Sequence, residues 1–150
     1  NDKEKAKKLY ALIFTLNLGM SICFVLFFSL FGDWFYNWWT HNQLVVPTVV
    51  WFIMIIRIVF YAMWFSYSFI FQAYNDPYPL TTTGVVVSIV SVAVTWLCSS
   101  IWGVVGAAIG ILIFDVLMFL VLRVRSKKYL VILFGDIMQN IKDIRGKLLS

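Results

Sequence analysis

Residues Pro47 to Tyr74 read PTVVWFIMIIRIVFYAMWFSYSFIFQAY, a long apolar run with one charge, Arg57, near its centre. About 20 helical residues, at about 1.5 Å each, cross the roughly 30 Å of hydrocarbon in a bilayer, so the stretch predicts a membrane-spanning helix. A charged side chain at mid-depth costs about 2.5 to 3.5 kcal/mol on insertion scales and therefore faces protein, water or a partner in preference to lipid. Two uses of Arg57 follow. It is either a structural arginine that pairs with a neighbouring helix or snorkels to one interface, or a functional one placed to meet something negative.

The remainder of the chain has the same character. Of its 150 residues, 62% are hydrophobic and 13% charged, against about 45 to 50% and about 25% in soluble domains, and the mean hydropathy is positive. This composition predicts an all-α integral membrane chain. Aromatic residues make up 19% of it, with Trp and Tyr in numbers that suit interfacial belts. The net charge of +5 does not predict a nucleic-acid partner, because the basic residues sit beside apolar spans; anionic membrane lipids are the expected counter-charge. Cys23 and Cys98 lie inside apolar runs without metal-ligand spacing and read as inert. The sequence opens on Asn1 with no signal-type leader, and reads as a piece of something longer or as an expressed segment.

Four spans are expected, at about 10–31, 45–72, 82–98 and 104–122, followed by a basic, amphipathic tail over 123–150. The lead-in, NDKEKAKK, suits a short helix along or into the membrane surface. In the first span Asn17 would either bond a neighbouring helix, worth about 0.6 to 2 kcal/mol, or line a polar path. Gly32 and Asp33 are read as the end of that span, before an aromatic cluster of Trp34, Phe35, Tyr36, Trp38 and Trp39 and a polar loop. His41 in that loop is the chain's one histidine and has no partners in sequence for a metal or general-base role. Pro47 suits the entry to the second helix, on which Arg57, Tyr61, Trp64 and Ser68 recur at three or four residues and share a face. Asn75 to Pro79 form a turn, and Ser99, Ser100 and Gly103 mark a tight reversal. Gly103, Gly106, Ala107 and Gly110 open the fourth span with small residues that would let another helix approach closely.

Asp115, near the middle of the fourth span, lies at a depth similar to that of Arg57. Since an unpaired carboxylate there is expensive, the two are expected to share a protein-lined interior and to pair directly or through water. In the tail, Phe134, Ile137 or Met138, Ile141, Ile144 and Leu148 recur at helical spacing, predicting an amphipathic surface helix. Of twelve Lys and Arg residues, four precede the first span, seven follow the fourth and the last is Arg57. Short cytoplasmic flanks carry the Lys and Arg excess, so both ends are expected in the cytoplasm, which an even number of spans permits.

No sequence pattern calls for an enzyme, a cofactor or a metal. There is no Ser-His-Asp arrangement, no paired carboxylates on one helix, no phosphate-cradling glycine loop and no ligand cluster.

The charged lead-in NDKEKAKKLY, a first helix closing in FGDWFYNWW, a long second helix, a short polar turn and a third helix ending in WLCSSIWGVVGAAIG together resemble the last four helices of polysaccharide flippases. These are the O-antigen and capsule-type members of the multidrug/oligosaccharidyl-lipid/polysaccharide exporter superfamily. Ile101 to Gly110, IWGVVGAAIG, looks like that family's outer turn and small-residue entry into its last helix. The resemblance covers nearly the whole chain but only about the final third of a family member. It departs from the family pattern in the third span, which lacks the asparagine such helices often carry. It implies two lobes rocking about a central cavity to carry a lipid-linked oligosaccharide across a plasma membrane. The remaining helices of a larger transporter would be partners of this segment. On that reading Arg57 belongs to a hydrated cationic path for the pyrophosphate, with Tyr61 and Trp64 stacking on sugars and Asp115 and Asn17 nearby. The alternative from the residues alone is a self-contained four-helix membrane subunit or scaffold, in which Arg57 and Asp115 serve assembly.

Overall fold

The computed structural model of the chain describes residues 2–41, 43 and 46–129. Four helices account for nearly all of them: α1 (Asp2–Trp39), α2 (Thr48–Ala73), α3 (Tyr78–Trp102) and α4 (Val104–Ser126). Each is long and apolar enough to cross a membrane, and no strand occurs among the described residues. The all-α, four-span expectation holds and fits a multi-pass membrane protein. The amphipathic helix expected after residue 133 lies outside the described residues.

Local chemistry sets most of the boundaries. Pro47 stands just before α2 with an extended backbone (ψ 132°), so it caps the helix from outside its first turn. Asn75, at φ 51°, turns the chain out of α2, and α3 starts at Tyr78 with Pro79 in its first turn, where a missing N–H leaves no helical bond unmade. Between α3 and α4 stands Gly103 alone, at φ 56° and ψ −128°, a conformation that a Cβ would make strained. The reversal therefore narrows to one residue, and Ser99 and Ser100 belong to α3.

The first span departs from expectation, since α1 runs unbroken from the lysine-rich lead-in through Gly32 and Asp33 to Trp39. Gly32 is a contact and not a terminator. A Cβ there would fall 2.1 Å from Cζ2 of Trp51, so the missing side chain makes room for the indole of α2.

The helices form an open row in the order α1, α2, α4, α3, in which α2 touches α3 only slightly. Side-chain pairs give the directions. Tyr10 and Phe14 meet Tyr67 while Phe28 meets Trp51, so α1 and α2 are antiparallel. Trp64 meets Phe114, Tyr67 meets Phe119 and Phe71 meets Tyr129, so α2 and α4 are parallel. Two apolar clusters hold the row. One joins Tyr10, Phe14 and Ile70; the other joins Phe71, Val87, Met118 and Leu122 across three helices.

This register gathers the basic residues of the lead-in and of the end of α4 at one end of the row, and the tryptophans of α1 and α3 at the other. Arg57 lies level with roughly Phe24 of α1, which puts it about 21 Å from Tyr10 and about 21 Å from Trp38 at about 1.5 Å per residue. It is therefore near the middle of the apolar slab. At the basic end, Arg125 donates to the Pro79 carbonyl (3.1 Å) and to Thr82 Oγ1 (2.9 Å), and the Tyr129 hydroxyl donates to Asp76. That last bond pushes the phenol's pKa up, because the carboxylate accepts the very proton that ionisation would remove.

The α3–α4 seam is closed by glycine. A Cβ on Gly106 would lie 2.1 Å from the Cys98 carbonyl oxygen, and one on Gly110 would lie 2.7 Å from Thr95 Cα. Ser91 Oγ donates to the Gly110 carbonyl at 2.7 Å within the same buried seam. Gly106→Ala is expected to destabilise the chain by about 1 to 3 kcal/mol, since backbone must move to admit the methyl group. Gly19→Ala, which meets nothing within 4 Å, is expected to leave stability unchanged or slightly raised. Thermal unfolding of both variants in detergent checks the contrast; equal melting temperatures would refute the close seam.

Candidate functional site

The α2–α4 seam holds the two mid-depth charges in direct contact. Arg57 Nε donates to Asp115 Oδ2 at 2.6 Å, and Trp64 Nε1 donates to Asp115 Oδ1 at 2.8 Å. Arg57 and Trp64 lie seven residues apart, two turns of α2, so both reach one residue of the parallel helix from the same face. Each carboxylate oxygen thus has a donor, as a buried anion requires. Of the two arrangements expected from sequence, direct or through water, the direct one is present.

The two partners are not equally enclosed: the Asp115 side chain is 1% exposed and that of Arg57 is 37% exposed. Among the described residues the guanidinium makes its hydrogen bond through Nε, which leaves the two Nη groups unengaged. Arg57 borders two open hollows. One, of about 270 Å³, is lined by Met54, Arg57, Ile58 and Tyr61; the other, of about 260 Å³, lies toward Phe28, Trp51 and Ile55. A guanidinium held side-on at Nε offers its Nη edge as a planar pair of donors, a geometry suited to a phosphate or carboxylate.

Tyr61 stands at the rim of the first hollow, 44% exposed, with its ring stacked on Phe65 and edge-on to Trp64. Trp64 itself is packed edge-on against Phe114 and, through its N–H, orients Asp115. Sequence reasoning placed Trp64 on the right face without foreseeing that it would donate to the carboxylate. Met54, three residues before Arg57 and so on its face, was legible in the spacing; Ile58, one residue on, borders the hollow without a spacing signal.

Asn17 lies elsewhere. Its Nδ2 donates to Ser66 Oγ at 3.1 Å across the α1–α2 seam, and Ser66 in turn donates to the Ala62 carbonyl. Ser66 is nine residues from Arg57, about 14 Å along the helix, so Asn17 is not brought to the charged pair. Ser68 is buried and donates to the Phe65 carbonyl. His41 occupies a turn at φ 51° and is exposed. Among the described residues no three His, Cys, Asp or Glu side chains are grouped to hold a metal ion.

Comparisons with protein-family models, curated proteins and solved structures yield no significant match to this chain. Fold and site together fit a multi-pass, all-helical membrane protein with an ion pair at mid-depth between two parallel helices, its carboxylate enclosed.

Removing one partner strands the other. Asp115→Leu strands the partner that is 37% exposed, whereas Arg57→Leu strands the enclosed carboxylate with one donor, at a cost of up to about 3 to 5 kcal/mol. The double variant Arg57→Leu/Asp115→Leu is expected to be more stable than Arg57→Leu alone. Chemical unfolding of the four members of this cycle measures the coupling; strictly additive losses would refute the bond.

Proposed function

We propose that the chain is the C-terminal part of a transporter that flips a lipid-linked oligosaccharide across the plasma membrane during assembly of cell-surface polysaccharide. The supporting observation is Arg57 itself, which lines an open hollow at mid-depth while Asp115 holds its Nε. An anionic pyrophosphate crossing hydrocarbon needs a cation and polar surroundings on its way, and Arg57 supplies the former near the point of greatest cost. Tyr61 at the rim offers a ring face to a sugar. The resemblance of Ile101–Gly110 and its surroundings to the last helices of polysaccharide flippases supports the same reading. So does the open row of helices, whose unclosed sides leave room for the remaining helices of a larger carrier.

In this proposal both ends of the chain are cytoplasmic. The gathering of lysines and arginines at one end of the row supports that orientation, and it points the tryptophan-rich end outward. The chain acts as a carrier and makes or breaks no covalent bond. A second reading, a self-contained four-helix subunit or scaffold, draws support from the 2.6 Å bond itself, which ties α2 to α4 as a purely structural pair would.

Arg57→Gln in the intact protein separates them. The transporter reading predicts that lipid-linked sugar accumulates in the inner leaflet, with export per molecule of membrane-inserted protein reduced at least tenfold. Leaflet-specific labelling of the lipid-linked sugar measures this. Undiminished export would remove Arg57 from the path and favour the scaffold.

A further inference from the structure

The charge count around Arg57 has a consequence for what must accompany an anion. From Tyr10 to Gly32, α1 carries no charged residue; α2 carries Arg57 alone; α3 carries none; and α4 up to Leu122 carries Asp115 alone. At mid-depth, then, the charged groups of all four helices are one guanidinium and one carboxylate, 2.6 Å apart, with a combined charge of zero. The further titratable group bordering the guanidinium's hollow is the Tyr61 phenol. The other cations of the described residues stand at the basic end of the row, toward the interface.

A monoanion seated on the Nη edge gives this cluster a net charge of −1 inside an apolar slab, where unbalanced charge is most costly. One positive charge must enter with it. Asp115 has the chemistry to receive that charge, but a metal ion does not suit it. Its side chain is 1% exposed, both oxygens already accept hydrogen bonds, and among the described residues no group of three His, Cys, Asp or Glu side chains is gathered to complete a coordination shell.

Resting on the anion-site reading above, we infer that an anionic headgroup binds Arg57 together with one proton, taken up by Asp115. The proton comes from bulk water through the hollow and forms an O–H bond on Oδ2, the oxygen nearest Arg57, turning carboxylate into carboxylic acid. Trp64 continues to donate to Oδ1. The guanidinium, no longer neutralised by Asp115, has its charge matched by the one phosphate seated on it, so Arg57, Asp115 and that phosphate together are neutral before and after binding; the second phosphate of a pyrophosphate diester keeps its own charge outside this cluster. Because linkage is reciprocal, acidification tightens anion binding and anion binding draws in the proton.

The test uses the chain in nanodiscs of zwitterionic lipid, with a short-chain phosphatidylglycerol as probe. Its phosphodiester carries a fixed single negative charge around neutral pH, so it neither gives nor takes protons itself. Calorimetry in two buffers of different ionisation enthalpy counts protons exchanged on binding. About one proton taken up per probe bound, with affinity rising about tenfold per unit fall in pH, is expected. Asp115→Asn is expected to bind the probe with no proton uptake and no pH dependence, and Arg57→Gln to lose binding. Binding by the parent chain without proton uptake overturns this inference and leaves the anion site standing. Failure of the parent chain to bind the probe at any pH overturns both. Should Asp115→Asn not fold, the proton count on the parent chain decides by itself.

Discussion

One charge pair, held where neither member is tolerated alone, sets the terms for the rest of this structure. The bond from Arg57 to Asp115 lies near the middle of an apolar slab and joins two parallel helices that no short loop connects. To bring them side by side, α3 must run back between them in sequence yet pack outside them in space. The row α1, α2, α4, α3 is that solution, with the Gly103 reversal and the glycine seam of α4 pressing α3 against its far side. Apolar clusters then fix the register at the basic end, where Phe71, Val87, Met118 and Leu122 meet. Hydrophobic burial against lipid gives little preference for one helix neighbour over another, so close packing and polar bonds decide it.

The pair is asymmetric, and its chemistry follows from that. Asp115 is enclosed and doubly bonded, while Arg57 is pinned at Nε and open at its Nη edge. Here the carboxylate serves as a fixed holder and the guanidinium as a presented cation, an arrangement that pre-orients donors and reduces what a ligand must spend in ordering them. On the proposed carrier reading, the same asymmetry makes Asp115 the natural place for a compensating charge.

Much of this was legible in residues 47–74 and their counterparts. Apolar runs of about 17 residues or more declare membrane helices, and the cost of Arg57 and Asp115 in hydrocarbon forecast their meeting. What could not be read was which faces carry each contact. Gly32 looks like a stop because glycine often ends helices; nothing local says that Trp51 will fill the space instead. Asn17 and Arg57 both read as polar interruptions of apolar helices, and only the register of α1 on α2 sends Asn17 to Ser66 and away from the charged seam. Trp64 was placed on the proper face, but the aim of its N–H depends on the neighbouring helix, which sequence spacing does not supply.

The account depends on the surroundings of Arg57 being hydrated and lined by protein. Single cysteines placed at Met54 and Tyr61, with Cys23 and Cys98 replaced, report on this directly when a charged, membrane-impermeant thiol reagent is applied to the chain in vesicles. Ile89, on the exposed face of α3, serves as the lipid-facing reference. The account predicts that positions 54 and 61 react at least tenfold faster than position 89, and that added anions protect them. Equal, negligible labelling at all three positions would mean that the guanidinium faces acyl chains, and would contradict it.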